Sequence, residues 1–173
     1  MRALQRETKP IRHVLDIGCG YGELLKKMRR RLNVDVVGVD LHPPAPGEHE
    51  FPIFQLNAVH DDLPRADVAV SVCMTHHLRE DELVALIRNV GRSCSRFVIL
   101  DLVRHPVPLA LFHAFAWLCL PRVNVLDGRQ SIRRAYTPEE FRALITQALA
   151  GTNATLRHSV APLWIRQIAD IRY

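Results

Sequence analysis

A strand that must pass into a helix across three closely spaced glycines leaves few folds open. Residues 14–22 read Val-Leu-Asp-Ile-Gly-Cys-Gly-Tyr-Gly, an apolar run holding an acid and then glycines at 18, 20 and 22. A helical pattern follows at once, with Tyr21, Leu24, Leu25, Met28 and Leu32 expected on one apolar face. Such a turn presents bare backbone N–H groups to a ligand, and the glycines let it approach where a Cβ would block it. The spacing Gly18-x-Gly20-x-Gly22 is not the dinucleotide pattern Gly-x-Gly-x-x-Gly. Glu23 stands where the last glycine would fall, which disfavours a nicotinamide enzyme.

The rest of the chain alternates between the two periods. Strand-like runs cover 12–17, 34–40, 51–56, 67–73 and 96–102. Between the last two, 80–90 reads as a helix with Leu83, Leu86, Ile87 and Val90 inward. Thr137-Pro138-Glu139-Glu140 is a capping box with proline at the first helical position. The helix it opens carries Phe141, Leu144, Ile145 and Leu149, and Gly151 can end it. Two runs, 154–160 and 163–172, close the chain around Pro162. This alternation predicts a single α/β domain over residues 1–173, with a parallel sheet and an antiparallel hairpin at one edge.

Composition removes several classes. The net charge of +5 is spread along the chain apart from Lys26, Lys27, Arg29, Arg30 and Arg31, which suit a helix C-terminus and read as a solvated face, so a nucleic-acid partner is not expected. Four cysteines show neither Cys-x-x-Cys nor Cys/His ligand spacing, which predicts free thiols, no metal site and a cytoplasmic setting. The first eleven residues hold no apolar segment of a signal peptide. The fourteen residues 107–120 are nearly all apolar but too short to cross a bilayer. They read as a helix packed on the sheet, a lid over an apolar substrate, or a membrane-surface contact. A homodimer or partner contact through 103–120 is a further reading.

The glycine turn resembles motif I of the class I S-adenosylmethionine-dependent methyltransferases, and the likeness extends over residues 12–102. It implies a Rossmann-like, doubly wound, mostly parallel seven-stranded sheet, with a C-terminal antiparallel hairpin and a helical insertion after the fifth strand. S-adenosyl-L-methionine is the implied cofactor, S-adenosyl-L-homocysteine its product, and no metal is needed. Asp40 ends the second strand, 20 residues after Gly20, where a carboxylate can accept from both ribose hydroxyls. Leu41 would pack on the adenine. Asp16 would order the loop and face the amino end of the methionine moiety. Gly18, Cys19, Gly20 and Gly22 would contribute backbone. Asn57-Ala58 stands where the family often has Asp-Ala beside the adenine amino group, with Asp61 or Asp62 as substitutes if the strand runs longer. Asp67 reads as structural.

The acceptor side rests on Ser71-Val72-Cys73-Met74-Thr75-His76-His77-Leu78, which resembles the segment after the fourth strand in small-molecule methyltransferases. Cys73 would adjoin the cofactor. At most one of His76 and His77 would be a base, because neighbouring side chains diverge; an imidazole with a reference pKa of ~6.5 suits that task. The Asn/Asp-Pro-Pro-Tyr motif of many amino-group nucleic-acid methylases is absent. Residues 103–136 form a candidate lid, with Phe112 and Phe115 lining an acceptor pocket. Asp127–Tyr136 is expected as an exposed turn from which Arg133, Arg134 or Tyr136 could reach a substrate. The function expected is methyl transfer to a small, lipophilic molecule. The rivals are a non-catalytic methyltransferase-like scaffold and a nucleic-acid or protein methyltransferase.

Overall fold

The computed structural model describes residues 10–45, 50–119 and 122–173, and side chains outside 115–125. Seven strands form one sheet: β1 (His13–Ile17), β2 (Asp35–Asp40), β3 (Ile53–Gln55), β4 (Ala66–Val72), β5 (Cys94–Leu102), β6 (Thr155–Val160) and β7 (Arg166–Arg172). Their order across the sheet is β3-β2-β1-β4-β5-β7-β6. The pairs from β3 through β5 are parallel. β7 runs antiparallel to both β5 and β6, which makes the edge hairpin. The order reverses between β1 and β4, and ligands of open α/β sheets bind beyond the carboxyl ends of the strands at such a reversal.

Alternating β1 side chains feed two cores. Val14 joins Leu25 and Met28 of α1 (Glu23–Leu32) and Val68 and Val70 of β4 on one face. Leu15 and Ile17 face α2 (Glu80–Ser93) and α5 (Pro138–Leu149) on the other, among Leu83, Leu86, Ile87, Phe141 and Ile145. Each fully buried Leu, Ile or Phe contributes about 1.5–3 kcal/mol relative to exposure. The capping box closes as expected: Thr137 Oγ1 accepts from the Glu140 N–H, and Glu140 Oε2 accepts from the Thr137 N–H. Gly151 follows the helix at φ +79°. Asp67 accepts from the N–H groups of Arg12 and His13, a structural role. The hairpin is pinned to β5 by Arg96, 3% exposed, whose guanidinium grips the Asp170 carboxylate at 2.7 and 2.8 Å.

Two expectations fail. Tyr21 does not join the apolar face of α1; it is 79% exposed. Gly22 adopts φ +72° and the helix begins only at Glu23, so Tyr21 stays in the turn. Asp127–Arg134 is no turn: it is the second half of α4 (Arg122–Arg134), preceded by α3 (Pro106–Cys119). The segment is helical because it has something to pack on. Ile132 and Ala135 are buried, and a Cβ on Gly128 would lie 2.4 Å from the Phe112 ring. The insertion therefore folds as two helices packed on each other. α4 rests on the single turn Thr75–His77, and α3 rests on the single turn Pro162–Trp164 at the tip of the hairpin. Both turns lie at the carboxyl end of the sheet, since Leu102, last in β5, pairs with Arg166, first in β7.

Candidate active site

The glycine loop is held to β2 by the residue that ends that strand. Asp40 Oδ2 accepts from the Gly20 N–H at 2.8 Å, and Oδ1 accepts from the His42 N–H at 2.9 Å. Each carboxylate oxygen has a further lone pair, so Asp40 clamps the loop and keeps acceptor capacity for a ligand. The N–H of Gly18 donates to the Val39 carbonyl at 2.9 Å, closing the other side. Gly20 sits at φ +51°, and a Cβ there would meet nothing within 4 Å, so open space adjoins the loop. Gly22 is required by packing instead, because a Cβ would fall 2.7 Å from the Phe51 ring.

Beneath the loop Asp16 is 2% exposed, and burial, then the neighbouring Asp40, push its carboxyl up to about 7. Burial and the same two carboxylates push the Cys19 thiol up to about 12. Cys19 is thus a protonated side chain packed over Gly38 of β2, where a Cβ would lie 2.6 Å from its sulfur, and not a nucleophile.

A cleft of about 450 Å³ opens at the reversal of strand order. Ile17, Gly18, Val39, Asp40, Leu41 and His42 line one side. Leu56, Asn57, Ala58, Val59, Met74, His77, Leu78, Glu82 and Leu86 line the other. The structure thus brings together Gly18, Asp40, Leu41, Asn57, Ala58 and His77 in one cavity. Leu41 is 53% exposed over it. Asn57 Oδ1 accepts from the Val59 N–H at 3.0 Å, and Asp61 Oδ2 accepts from the Asn57 N–H at 2.7 Å, so the loop after β3 is a self-closed turn. Asn89 on α2 donates to the carbonyls of Ala58 and Asp61, at 3.0 and 2.8 Å, and ties that loop to the helix.

The two adjacent histidines do not diverge as expected: within a single tight turn their rings stay 4.1 Å apart, and they differ instead in burial. His76 is 5% exposed, and its Nδ1 lies 2.7 Å from Asp101 Oδ1 at the end of β5. Asp101 Oδ2 accepts from the His76 N–H at 2.9 Å and from the Thr75 hydroxyl. Burial pushes the Asp101 carboxyl up, but the bonds from His76 and Thr75, with the Leu102 N–H, outweigh it and hold Asp101 below the ordinary carboxylate value. This buried lock sets the turn from which His77 emerges into the cleft. Burial and the adjacent His76 lower the His77 imidazole below its ordinary value, and Arg134 on α4 adds to this against the opposite pull of Asp101 and Asp127. Just before the turn, Cys73 takes φ +54°, its N–H donates to the Leu100 carbonyl at 2.9 Å, and burial pushes its thiol up.

The acceptor-side residues scatter more widely. Tyr136 is 8% exposed, and its hydroxyl donates to the Leu78 carbonyl at 2.7 Å. It fastens the end of the insertion to the turn after His77. Arg133 is exposed on α4. Phe112 packs on Gly128 between the two helices and is not among the residues that line the cleft. The side chain of Phe115 lies outside the described residues. Among the described residues no group of His, Cys, Asp and Glu could hold a metal.

Sequence reasoning missed Asp101, Asn89 and Gly38. Asp101 carried a signal: Val98-Ile99-Leu100-Asp101 repeats the strand-then-acid pattern that ends at Asp40. Asn89 was visible as a polar residue amid the inward positions of α2. Gly38 sits at mid-strand, where a glycine marks a close approach.

These residues fit an adenosyl group: an acceptor at the end of β2, an unobstructed glycine backbone beside it, and apolar Leu41 and Ala58 lining the same cleft. Likeness to known proteins gives the family. A family described as "Methyltransferase domain" matches residues 1–135. The indolepyruvate C-methyltransferase of Streptomyces griseus is 28% identical over 104 residues, which is 52% of this chain and 32% of that enzyme, so the chain spans about a third of the relative it matches. The plantazolicin methyltransferase BpumL, solved with a triazolic analog and SAH, superposes with a TM-score of 0.78 at 14% identity, over 99% of this chain and 80% of that one. Human N-acetylserotonin methyltransferase, solved with SAM, gives a TM-score of 0.61 at 13% identity over 94% of this chain and 47% of its own. With its sheet order, glycine turn and strand-end acid in place, the chain belongs to the class I S-adenosylmethionine-dependent methyltransferases.

Proposed function

We propose that the chain transfers a methyl group from S-adenosylmethionine to a small, lipophilic acceptor. The observation that carries this reading is the cleft at the strand reversal, where the glycine turn and Asp40 meet Leu41, Ala58 and His77. The cofactor, when bound, supplies a methyl group on a sulfonium leaving group. The ribose hydroxyls would donate to Asp40, the adenine would lie between Leu41 and Ala58 with Asn57 near its edge, and the methionine end would pass over Gly18 and Gly20 toward Asp16. Asp101, through Thr75 and His76, would position His77 beside the transferring group. A His77 kept neutral at pH 7 could take a proton from a hydroxyl or amine acceptor at Nδ1 or Nε2. Residues 103–136 would exclude water above it, and alignment in a dry site can supply up to ~7–11 kcal/mol of the barrier. A relative named for indolepyruvate and a neighbour crystallised with an azolic analog support a small organic acceptor over nucleic acid.

Calorimetry with S-adenosylhomocysteine, followed by turnover on a panel of phenolic, indolic and long-chain acceptors, tests the reading. Cofactor binding and methylation of an apolar acceptor are expected, with His77→Gln lowering turnover while cofactor affinity stays within about twofold. Tight cofactor binding without turnover on any class would favour the scaffold reading.

A further inference from the structure

Net positive charge and exposed apolar surface fall in the same two segments of the chain. Residues 103–136 hold five arginines (Arg104, Arg122, Arg129, Arg133 and Arg134) against one acid, Asp127. Residues 158–169 hold Arg166, first in β7 beside the tip, and no acid. Elsewhere Lys and Arg balance Asp and Glu, so these two segments account for the whole net charge of +5. Of those whose side chains are described, only Arg104 spends its charge on a carboxylate, that of Glu140.

The same segments carry the apolar surface. At the hairpin tip Leu163 is 53% exposed, Trp164 44% and Ile165 44%. Val160 and Ile168 flank them at 36% each. Leu163 and Trp164 both hold positive φ, +61° and +52°, a conformation that costs a non-glycine residue. His105, at the root of the insertion, stacks on the Trp164 ring with centroids 4.4 Å apart, so the insertion and the tip form one surface. α3 rests against that tip, and its sequence from Pro106 to Cys119 holds no charged residue, its apolar positions gathering on no single face. On α4, Leu126 is 65% exposed.

We propose that the hairpin tip Ala161–Ile165, with α3 beside it, seats on the surface of an anionic bilayer. Apolar side chains with a tryptophan enter the interface, while the surrounding arginines face the phosphates. A second copy of the chain fits less well, because it would bring the same arginines against one another. The carboxyl edge of the sheet would then face the lipid, and an apolar acceptor could reach the cleft without crossing water. The docking itself does not depend on the methyl-transfer reading.

The protein has two tryptophans, Trp117 and Trp164, both in these segments. The full chain carrying Trp117→Phe leaves Trp164 as the sole reporter. It is mixed with vesicles of phosphatidylcholine alone, or of phosphatidylcholine with one third phosphatidylglycerol, at about 50 mM and about 0.5 M salt, where screening lengths differ several-fold. Flotation with the anionic vesicles at low salt, a blue shift of Trp164 emission, and release at high salt are expected. Leu163→Asn with Ile165→Ser should weaken partitioning by about tenfold or more, each lost methylene being worth about fourfold. Both side chains are exposed, so the variant should keep its melting temperature and its S-adenosylhomocysteine affinity, which separates lost docking from lost folding. No flotation with anionic vesicles at low salt overturns the proposal. So does binding that the double variant leaves intact, or a dimeric mass by light scattering whose formation alone shields Trp164.

Discussion

The two halves of the carboxyl edge are built on different principles. Around the glycine turn, side-chain carboxylates and amides are spent on backbone groups: Asp40 on Gly20 and His42, Asn57 on Val59, Asn89 on Ala58 and Asp61. Across the cleft, the helices of the insertion meet one another and the hairpin tip through apolar contact, Phe112 against Gly128 and His105 against Trp164, while its two ends are tied by Arg104 to Glu140 and by Tyr136 to the turn after His77. Directional bonds fix backbone donors at a set place, as recognition of a constant cofactor requires. Apolar contact tolerates rearrangement, as admission of a bulky acceptor requires. The contrast predicts that substitutions near the glycines act on cofactor affinity, and those in the insertion on acceptor use and local stability.

The largest effect should come from Gly20→Val. A Cβ over Gly20 meets no protein atom within 4 Å, so the fold should survive with about 1–2 kcal/mol of backbone strain at φ +51°. S-adenosylhomocysteine would lose its seat, with affinity falling ~100-fold or more. Calorimetry beside a thermal melt checks both. A variant that binds normally would place the cofactor elsewhere and dissolve the contrast.

Asp40→Ala should come next. It removes the ribose acceptor and the clamp on Gly20 and His42 together, costing about 1–3 kcal/mol of cofactor affinity. Asp40→Asn sharpens the point. Its amide oxygen can still accept from the Gly20 N–H, so it should retain loop order, read from melting, while losing part of the ribose contact. Equal losses in the two variants would mean that the clamp, and not the ribose, dominates.

Legibility in the sequence follows the same divide. Strands, capping box and glycine turn were readable because each depends on neighbours within four or five residues: alternation for β1, Thr137 with Glu140 for α5, three glycines for the turn. Asp40 holds a fixed place after the glycines, and the structure brings it onto the Gly20 N–H at the cleft. The lock of His76 on Asp101 spans 25 residues and two strands, and nothing local marks it beyond the acid that ends β5. The helix α4 was hidden because Gly128 and clustered arginines read as a turn. Only the Phe112 ring seated on Gly128 shows why a glycine belongs inside that helix. Tyr136 is expected to reach a substrate, whereas the fold spends its hydroxyl on the Leu78 carbonyl, 58 residues away in the sequence.

Phe112→Ala probes the apolar half at a smaller scale. The ring is half-buried, so the loss should fall below the ~3–5 kcal/mol of a fully buried phenylalanine. It should concentrate in the insertion, seen as faster proteolysis or amide exchange across 106–134, with S-adenosylhomocysteine affinity within about twofold of the parent. Acceptor use should fall. A matching loss of cofactor affinity would show that the halves are coupled and that the division drawn between them is wrong.

The smallest expected effect is a fraction of a proton, and it tests the polar half alone. Asp16 has its carboxyl raised from 3.8 to about 7 by burial first and Asp40 second. For an acid whose folded value lies above its unfolded one, the neutral carboxyl favours the folded state below about pH 4, and that stabilisation is lost as pH climbs to about 7. Near pH 7 the ligand-free protein therefore holds Asp16 about half protonated. If the amino end of the cofactor lies beside Asp16, its cation stabilises the carboxylate and draws the proton off. Binding should release up to ~0.5 proton at pH 7, and affinity should rise with pH through that region. Calorimetry of S-adenosylhomocysteine binding in two buffers of different ionisation enthalpy measures the release directly. Asp16→Asn should abolish it while raising the melting temperature of the ligand-free chain above pH 7, because a buried carboxylate is replaced by a neutral amide. Proton release that persists in Asp16→Asn would assign it to another group and remove Asp16 from the cofactor's amino end.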